Sequence, residues 1–143
     1  MPAPLHAAFR KAKALTDWHT PVPVQAAAAE LIDDGLLARH IRRMRRVYAE
    51  RHERIGEVFA GPLAGHLRPV PSAGGLHVSA FLRGGGPSAD LGVVERARSR
   101  GVALIPLSPH FVSEPARPGL LIGYGAVPSG RIEEGLRRVR ECL

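Results

Sequence analysis

Two kinds of apolar pattern divide this chain of 143 residues. Up to about residue 60, apolar side chains recur every three or four positions, which predicts amphipathic helices. After that point they fall into short runs bounded by glycine or proline, which is typical of buried strands. The chain is therefore predicted to begin with helices and to continue with a section that mixes strands and helices.

The first section predicts three successive helices. They cover residues 3–18, 21–34 and 36–60. Thr20 is the expected N-cap of the second helix, with Pro21 at its first helical position. Gly35 is expected to form a cap or a bend, and the Gly61-Pro62 pair to end the third helix. The apolar stripes of the first two helices have no obvious strand to cover, so they are expected to pack on something else.

The second section predicts a small sheet flanked by helices. Its strands are expected at residues 67–70, 76–82, 102–105 and 120–124, and its helices at 89–100 and from 129 onwards. Ser88 and Ser129 are the expected N-caps of these helices. Leu91, Val94 and Ala97 are the expected inward face of the first one.

The order of elements after residue 66 is strand-strand-helix-strand-strand-helix. It predicts an α+β fold in which a small mixed or antiparallel sheet carries helices on one face. We expect a domain boundary between N-terminal helices at residues 1–35 and the sheet-containing domain at 36–143. Residues 106–119 contain four prolines and no periodicity, so we expect a loop or lid there.

The chain is basic, with a formal net charge of +7 from 18 arginines and two lysines against 13 acidic residues. An excess of positive charge is typical of proteins that bind nucleic acid or an acidic membrane. Abundant alanine, glycine, proline and arginine are also typical of a GC-rich coding bias, so the positive charge is weaker evidence for such a partner. An arginine cluster on the third helix is either a phosphate-contacting surface or a solvated, salt-bridged face, and the glutamates that follow favour the second. The cluster comprises Arg39, Arg42, Arg43, Arg45 and Arg46.

Several classes of protein are not expected. No run of about 18 apolar residues is present, so no membrane helix is predicted, and the N-terminus lacks the pattern of a signal peptide. Cys142 is the only cysteine, so neither an internal disulfide nor a Cys-rich metal site is expected. The seven histidines show no paired spacing for metal binding. We therefore expect a cytoplasmic protein without a metal site.

Five short motifs occur in a characteristic order. They are Gln25-Ala26-Ala27-Ala28, the run from Arg39 to Tyr48, Ala73-Gly74-Gly75-Leu76-His77, Pro106-Leu107-Ser108, and Leu120-Leu121-Ile122-Gly123-Tyr124. Together they resemble the C-terminal part of the aminotransferase-like domain of MocR-type regulators. Those proteins fuse a GntR-type winged helix to a fold-type I domain that depends on pyridoxal 5'-phosphate (PLP). The resemblance covers nearly the whole chain, and the order of the motifs carries it, because none is specific alone.

The resemblance implies that the cofactor-binding part is absent. In the family a large domain holds PLP through a Schiff-base lysine, an acidic partner for the pyridine nitrogen and a phosphate cup. The only lysines here, Lys11 and Lys13, follow neither a serine-rich strand nor a phosphate loop, so they are expected to be solvent-facing helical residues. The chain then corresponds to the small domain and the helices before it. We expect PLP in the parent family, none bound by this chain alone, and no catalysis by it alone.

The same resemblance suggests residues that contact substrate. Gly75, Leu76 and His77 match a strand start that lines the substrate pocket in similar enzymes, although a tight turn with positive φ explains the glycines equally well. Ser108 begins a loop that either reaches over the mouth of the site or is a rigid surface loop.

Carboxylate recognition departs from the family pattern. Fold-type I aminotransferases hold the substrate carboxylate with an arginine on the last strand, and that arginine aligns with Leu121 here. Arg117, four residues earlier, substitutes for it only if the loop turns back. The departure argues against the family's usual carboxylate contact.

Three functions follow from these observations. The first is a truncated part of a PLP-dependent aminotransferase-like protein, whose parent transfers amino groups or senses PLP to regulate transcription. The second is a self-associating interaction module, which forms homo-oligomers or joins a missing large domain through the helices at 3–18 and 21–34. The third is a basic nucleic-acid-binding domain, although nucleic acid is not the expected partner of this segment.

Overall fold

Five α-helices and four strands form in the residues that the computed structural model describes, which are 2–19, 21–72, 75–112 and 117–143. The helices are α1 (His6–Thr16), α2 (Val22–Asp33), α3 (Leu36–Ala60), α4 (Ala89–Ser99) and α5 (Ile132–Arg140). The strands are β1 (Leu67–Pro69), β2 (His77–Leu82), β3 (Ile105–Pro106) and β4 (Gly119–Gly123). Short 3₁₀ turns lie at Ala3–Leu5, Ser108–His110 and Ser129–Arg131. The predicted order of elements is confirmed.

The chain divides into two compact units, Met1–Arg43 and Met44–Leu143, and the division falls within α3. The predicted domain boundary between residues 35 and 36 stays a prediction. Within the described ranges, every helix is too short or too polar to cross a membrane.

The first unit contains α1, α2 and the start of α3. Gly35 caps α2, because its φ is +68° and its N–H donates to the carbonyl of Ile32 at 2.9 Å. The prediction for Pro21 was wrong by one position: Pro21 is extended and precedes the helix, which begins at Val22. The predicted N-cap Thr20 lies outside the described residues. Apolar side chains of α1, of α2 and of the 3₁₀ turn before α1 are exposed, namely Leu5, Phe9, Leu15, Val22, Val24, Leu31 and Ile32.

The sheet has the strand order β1-β2-β4-β3, and each neighbouring pair is antiparallel. The mixed alternative is therefore wrong for the described strands. In β2, Val78 and Ala80 are buried while His77 is exposed. In β4, Leu120 and Ile122 are buried on the same side, because successive side chains of a strand point to opposite faces.

One face of the sheet packs on the second half of α3 and on α4 and α5. The core combines Ile55 and Phe59 of α3, the inward residues of the strands, and the inward face of α5. In α5 that face is Ile132, Leu136 and Val139, as the periodicity predicts.

The predicted inward face of α4 was partly wrong. Leu91 is 47% exposed, whereas Val93 is 3% exposed and Asp90 is fully buried. Ala97 is buried as predicted, and Val94 packs partly against the core. The helix is rotated from the expected phase because the Asp90 carboxylate finds hydrogen-bond donors inside the protein.

Strand β3 is shorter than predicted and begins at Ile105. Gly101 adopts a φ of +75° after α4, and the N–H of Val102 donates to the carbonyl of Ala97 at 2.9 Å. Residues 101–102 thus complete the helix end instead of pairing with β4.

Neither predicted serine N-cap uses its side chain to cap a helix within the described residues. Ser88 precedes α4 but its hydroxyl makes no capping hydrogen bond, and Ser129 begins a 3₁₀ turn ahead of α5. The residue at the N-cap position of α5 is Arg131.

Candidate functional site

The sheet face that points away from α4 and α5 is the candidate functional surface, and we call it the open face. Its side chains follow from the strand register and alternate with the buried ones. They are Arg68 of β1, His77, Ser79 and Phe81 of β2, Ile105 of β3 and Leu121 of β4. No helix of the second unit packs on this face within the described residues, and Ile105 is 48% exposed there.

One end of the open face is built around Gly75, Leu76 and Tyr124. The Tyr124 hydroxyl donates to the Gly75 carbonyl at 2.9 Å, and the N–H groups of Tyr124 and Gly125 donate to the Leu76 carbonyl at 2.9 and 3.1 Å. The φ of Gly75 is +120°, which favours glycine. Tyr124 therefore holds Gly75 and Leu76 in place before β2, and burial raises the pKa of its phenol.

Two residues of α3 support this end. Arg51 donates from Nη1 to the Gly125 carbonyl at 2.6 Å, and the Nδ1 atom of His52 lies 3.2 Å from the Tyr124 hydroxyl. The Nε atom of Arg51 is buried and makes no hydrogen bond within the described part of the chain. These contacts join the long helix to the end of β4.

The other end is held by the carboxylate of Asp90. Oδ2 accepts from the N–H groups of Ser108 at 2.7 Å and Gly119 at 3.1 Å, and Oδ1 accepts from the Ser108 hydroxyl at 2.7 Å. Burial alone raises the pKa of Asp90, but these hydrogen bonds outweigh it and hold the pKa below its ordinary value. Asp90 thus closes the base of the loop between β3 and β4 as a charged group.

The five predicted substrate contacts lie at both ends of β4. Gly75, Leu76 and His77 lie beside Gly123, whereas Ser108 and Arg117 lie beside Gly119. A strand rises about 3.3 Å per residue, so the two ends are roughly 13 Å apart. Ser108 is buried and its hydroxyl is engaged by Asp90, while His77 and Arg117 are exposed.

Position 121 lies in the middle of the open face. Leu121 pairs with Ser79 on one side and with Ile105 on the other. A leucine supplies no hydrogen-bond donor, so this chain offers no guanidinium at the position where the resemblance expects one. Arg117 lies four residues before Leu121 along the chain, and its guanidinium carbon is 4.1 Å from the ring centroid of Phe81.

The residues present do not fit PLP. Both lysines lie on α1 and are exposed, as predicted, and Nζ of Lys13 forms an ion pair with Asp17 at 2.7 Å. A cofactor lysine needs a pocket that limits water and lowers its pKa, and α1 has no buried residue.

Sequence reasoning missed Asp90 and the Tyr124 network. Asp90 precedes Val93 and Ala97 by three and seven residues, so it occupies the apolar stripe of its helix. A carboxylate in a stripe of that kind is itself a signal of buried polar partners. The Arg51 and His52 contacts join residues more than 70 positions apart, and no local pattern indicates them.

No protein-family model matches the chain. It is 30% identical to the "Probable rhizopine catabolism regulatory protein MocR" of Rhizobium meliloti, over 100% of the chain and 29% of that protein. It is 29% identical to the HTH-type transcriptional regulator YhdI of Bacillus subtilis (strain 168), over 81% of the chain and 24% of that protein. The chain thus spans less than a third of the length of the curated relatives that it matches.

Solved structures of aminotransferases are also similar to this chain, over about a third of their own length. LysN, an alpha-aminoadipate aminotransferase from Thermus thermophilus solved with N-(5'-phosphopyridoxyl)-L-leucine, superposes with a TM-score of 0.80 at 30% identity. The alignment covers 93% of this chain and 33% of LysN. The kynurenine aminotransferase of Pyrococcus horikoshii gives a TM-score of 0.79 at 26% identity, over 96% of this chain and 34% of that enzyme.

Proposed function

We propose a function from the family to which this chain belongs, the aminotransferase-like family of MocR-type regulators and PLP-dependent aminotransferases, of which it matches a C-terminal part. In this proposal the chain supplies one wall of a pocket whose cofactor is held elsewhere in the parent protein. The parent transfers amino groups or senses PLP to regulate transcription. By itself the chain has no catalytic activity. We place the parent in the cytoplasm, where regulators of transcription act in bacteria.

The observation that carries this proposal is the position of the two lysines. Both are exposed on α1, and the ammonium group of Lys13 is already paired with Asp17. Neither residue has the enclosed surroundings that hold a cofactor aldehyde in place. The cofactor therefore needs residues that this chain does not contain.

Within the parent, we assign the open face to the pocket. The strand start at Gly75, Leu76 and His77 forms one edge of this wall, and Ser108 and Arg117 belong to the other edge. Tyr124 and Asp90 do not contact ligand in this proposal, because both are buried, and they hold the two edges in place.

The test is a titration of the purified chain with PLP up to one equivalent, followed by borohydride reduction and intact-mass measurement. We expect an unmodified mass. A stoichiometric single adduct would overturn the proposal, provided that Lys11→Arg or Lys13→Arg abolishes it, because these variants keep the charge and remove the reactive amine. An adduct that persists in the double variant Lys11→Arg/Lys13→Arg would come from the chain's α-amino group and would leave the proposal standing.

A second candidate function is association through the first unit. The exposed apolar side chains of α1 and α2, with Phe9 at 55% and Leu15 at 78% exposure, form a surface of the kind that seeks a partner. The partner is either the missing large domain or a second copy of the chain. Nucleic acid is the less favoured alternative, and affinity that does not fall with salt would exclude it.

A further inference from the structure

A row of three side chains crosses the open face at the end where β4 begins. Arg68 of β1 pairs with Phe81 of β2, and Phe81 pairs with Gly119 of β4. The N–H of Leu82 donates to the Pro118 carbonyl at 2.9 Å, so the pairing of the two segments continues past Gly119 towards Arg117. Arg68 therefore lies directly across from Phe81, and Arg117 lies diagonally across from it, two residues before Gly119.

Both guanidinium groups gather on one aromatic ring. The guanidinium carbon of Arg117 lies 4.1 Å from the centroid of Phe81, and that of Arg68 lies 5.6 Å from it. Both distances are within the range in which a ring face attracts a cation. The Phe81 ring thus contacts two guanidinium groups on an exposed surface.

Within the described ranges, the hydrogen-bond donors of both arginines have no protein acceptor. The contact that each arginine makes with another described residue is the one with the Phe81 ring, and both side chains are exposed. Some exposed arginines are instead paired with carboxylates: Arg137, for example, is bonded to both Glu134 and Glu141. A guanidinium fork presents several N–H groups in a fixed plane that match carboxylate or phosphate oxygens.

We propose that Arg68, Phe81 and Arg117 form a binding site for a small oxyanion, either a carboxylate or a phosphate group. Two positive charges supply the attraction, and the Phe81 ring restricts the conformations of the guanidinium groups before the ligand arrives. Less side-chain entropy is then lost on binding than for two unrestrained arginines. The site is shifted along the open face from Leu121, the position at which the family resemblance expects an arginine.

This inference does not depend on the proposed function. It assigns a ligand to this chain alone, so a PLP adduct in the mass experiment would leave it standing, and its own failure would leave the pocket-wall proposal standing.

The test follows the arginine Nε–H signals by ¹⁵N NMR during titration of the whole chain with sodium acetate, and separately with inorganic phosphate, at constant ionic strength. We expect the signals of Arg68 and Arg117 to shift together and to saturate. Arg140, which is exposed on α5, is the internal control and should shift only weakly. Equal, unsaturated shifts of all exposed arginines would reflect general screening and would overturn the proposal.

Three variants and one control sharpen the result. Arg117→Gln and Arg68→Gln should each weaken anion binding by about tenfold, since a charge-assisted pair is lost, and Arg140→Gln should leave it unchanged. Phe81→Leu keeps every charge, so simple electrostatics predicts no effect, whereas the proposed preorganisation predicts weaker binding. The proposed site would be overturned if the folded Phe81→Leu variant bound the anion with unchanged affinity. It would also be overturned if Arg68→Gln and Arg117→Gln both did so. Tighter binding of acetate than of phosphate would assign it to a carboxylate, and the reverse order to a phosphate group.

Discussion

Gly119 is a residue at which packing leaves no room for a side chain. A Cβ atom placed there would lie 2.6 Å from the carbonyl oxygen of Ala80 and 2.8 Å from Cδ1 of Leu107. It would also lie 3.2 Å from the Cα atom of Phe81. Two of these three neighbours are backbone atoms of β2, which cannot move without disturbing the sheet. The N–H of Gly119 is at the same time a donor to Asp90, so its position is fixed from two sides.

We predict that Gly119→Ala destabilises the second unit by about 1–3 kcal/mol, the usual cost of overpacking. The measurement is the free energy of unfolding in urea. Gly123→Ala is the matched control, because it lies on the same strand and its Cβ atom would meet nothing within 4 Å. We expect the control to stay within about 0.5 kcal/mol of the wild type. Equal stability of the two variants would contradict the steric account of Gly119.

At the scale of elements, Asp90 joins three pieces of the fold. It belongs to the first turn of α4, and its carboxylate bonds to the 3₁₀ turn after β3 and to the first residue of β4. The N–H of Leu107 also donates to the Gly119 carbonyl at 2.9 Å, which closes the same loop base. The charged carboxylate of Asp90 accepts three hydrogen bonds in the protein interior, two from Ser108 and one from Gly119. A protonated carboxyl group would have one acceptor position fewer for these donors.

This geometry predicts a specific pH dependence for the stability of the second unit. The hydrogen bonds lower the pKa of Asp90 in the folded state, despite the opposing effect of burial. The stabilisation is therefore fully present above the ordinary aspartate pKa, and it is lost as the pH falls through the lower, folded-state pKa. We expect Asp90→Asn to be less stable than the wild type by about 1–3 kcal/mol near neutral pH, with the difference shrinking in strong acid.

Urea unfolding of both proteins over the acid range tests this prediction. Asp33→Asn, which removes an exposed carboxylate of α2, controls for the loss of one charge. A wild-type advantage that stayed constant from neutral to strongly acidic pH would show that Asp90 stabilises by shape and not as a charged group.

At the scale of the whole molecule, the first unit leaves apolar side chains uncovered. Trp18 is 82% exposed and has a positive φ of 49°, which is uncommon for a large residue, and Leu15 beside it is 78% exposed. No residue of α1 or α2 is buried among those described. The first unit therefore obtains little stabilisation from apolar burial within this chain.

We predict that the isolated chain self-associates in a concentration-dependent manner, because burial of this surface is favourable. Sedimentation equilibrium measures the association constant. The double variant Phe9→Gln and Leu15→Gln should weaken association by at least about tenfold, since each change removes roughly 1–2 kcal/mol of apolar burial. Val112→Gln, which changes an exposed apolar residue of the second unit, is the control. A clean monomer for the wild type at all concentrations would contradict the prediction.

Much of the fold was predictable because local signals agreed with the tertiary structure. The bounds of α3 follow from its period, from Gly35 before it and from the Gly61-Pro62 pair after it, and the structure confirms the cap with a φ of +68° at Gly35. The family also followed from motif order, because five weak motifs in sequence exclude most alternatives. The candidate site was less predictable, since its supporting contacts join residues that are far apart in sequence, such as His52 with Tyr124 and Asp90 with Gly119.

The sequence alone determined the order of the elements, the helix ends at glycine, the lack of a suitable cofactor lysine and the departure at Leu121. Each of these depends on residue identity or on short-range backbone geometry. Only the tertiary structure decided that α4 turns Asp90 inward, that the sheet is wholly antiparallel among the described strands, and that Arg68 and Arg117 meet on Phe81. These features depend on pairings between distant segments, where a buried carboxylate or a ring face finds its partner only after the chain has folded.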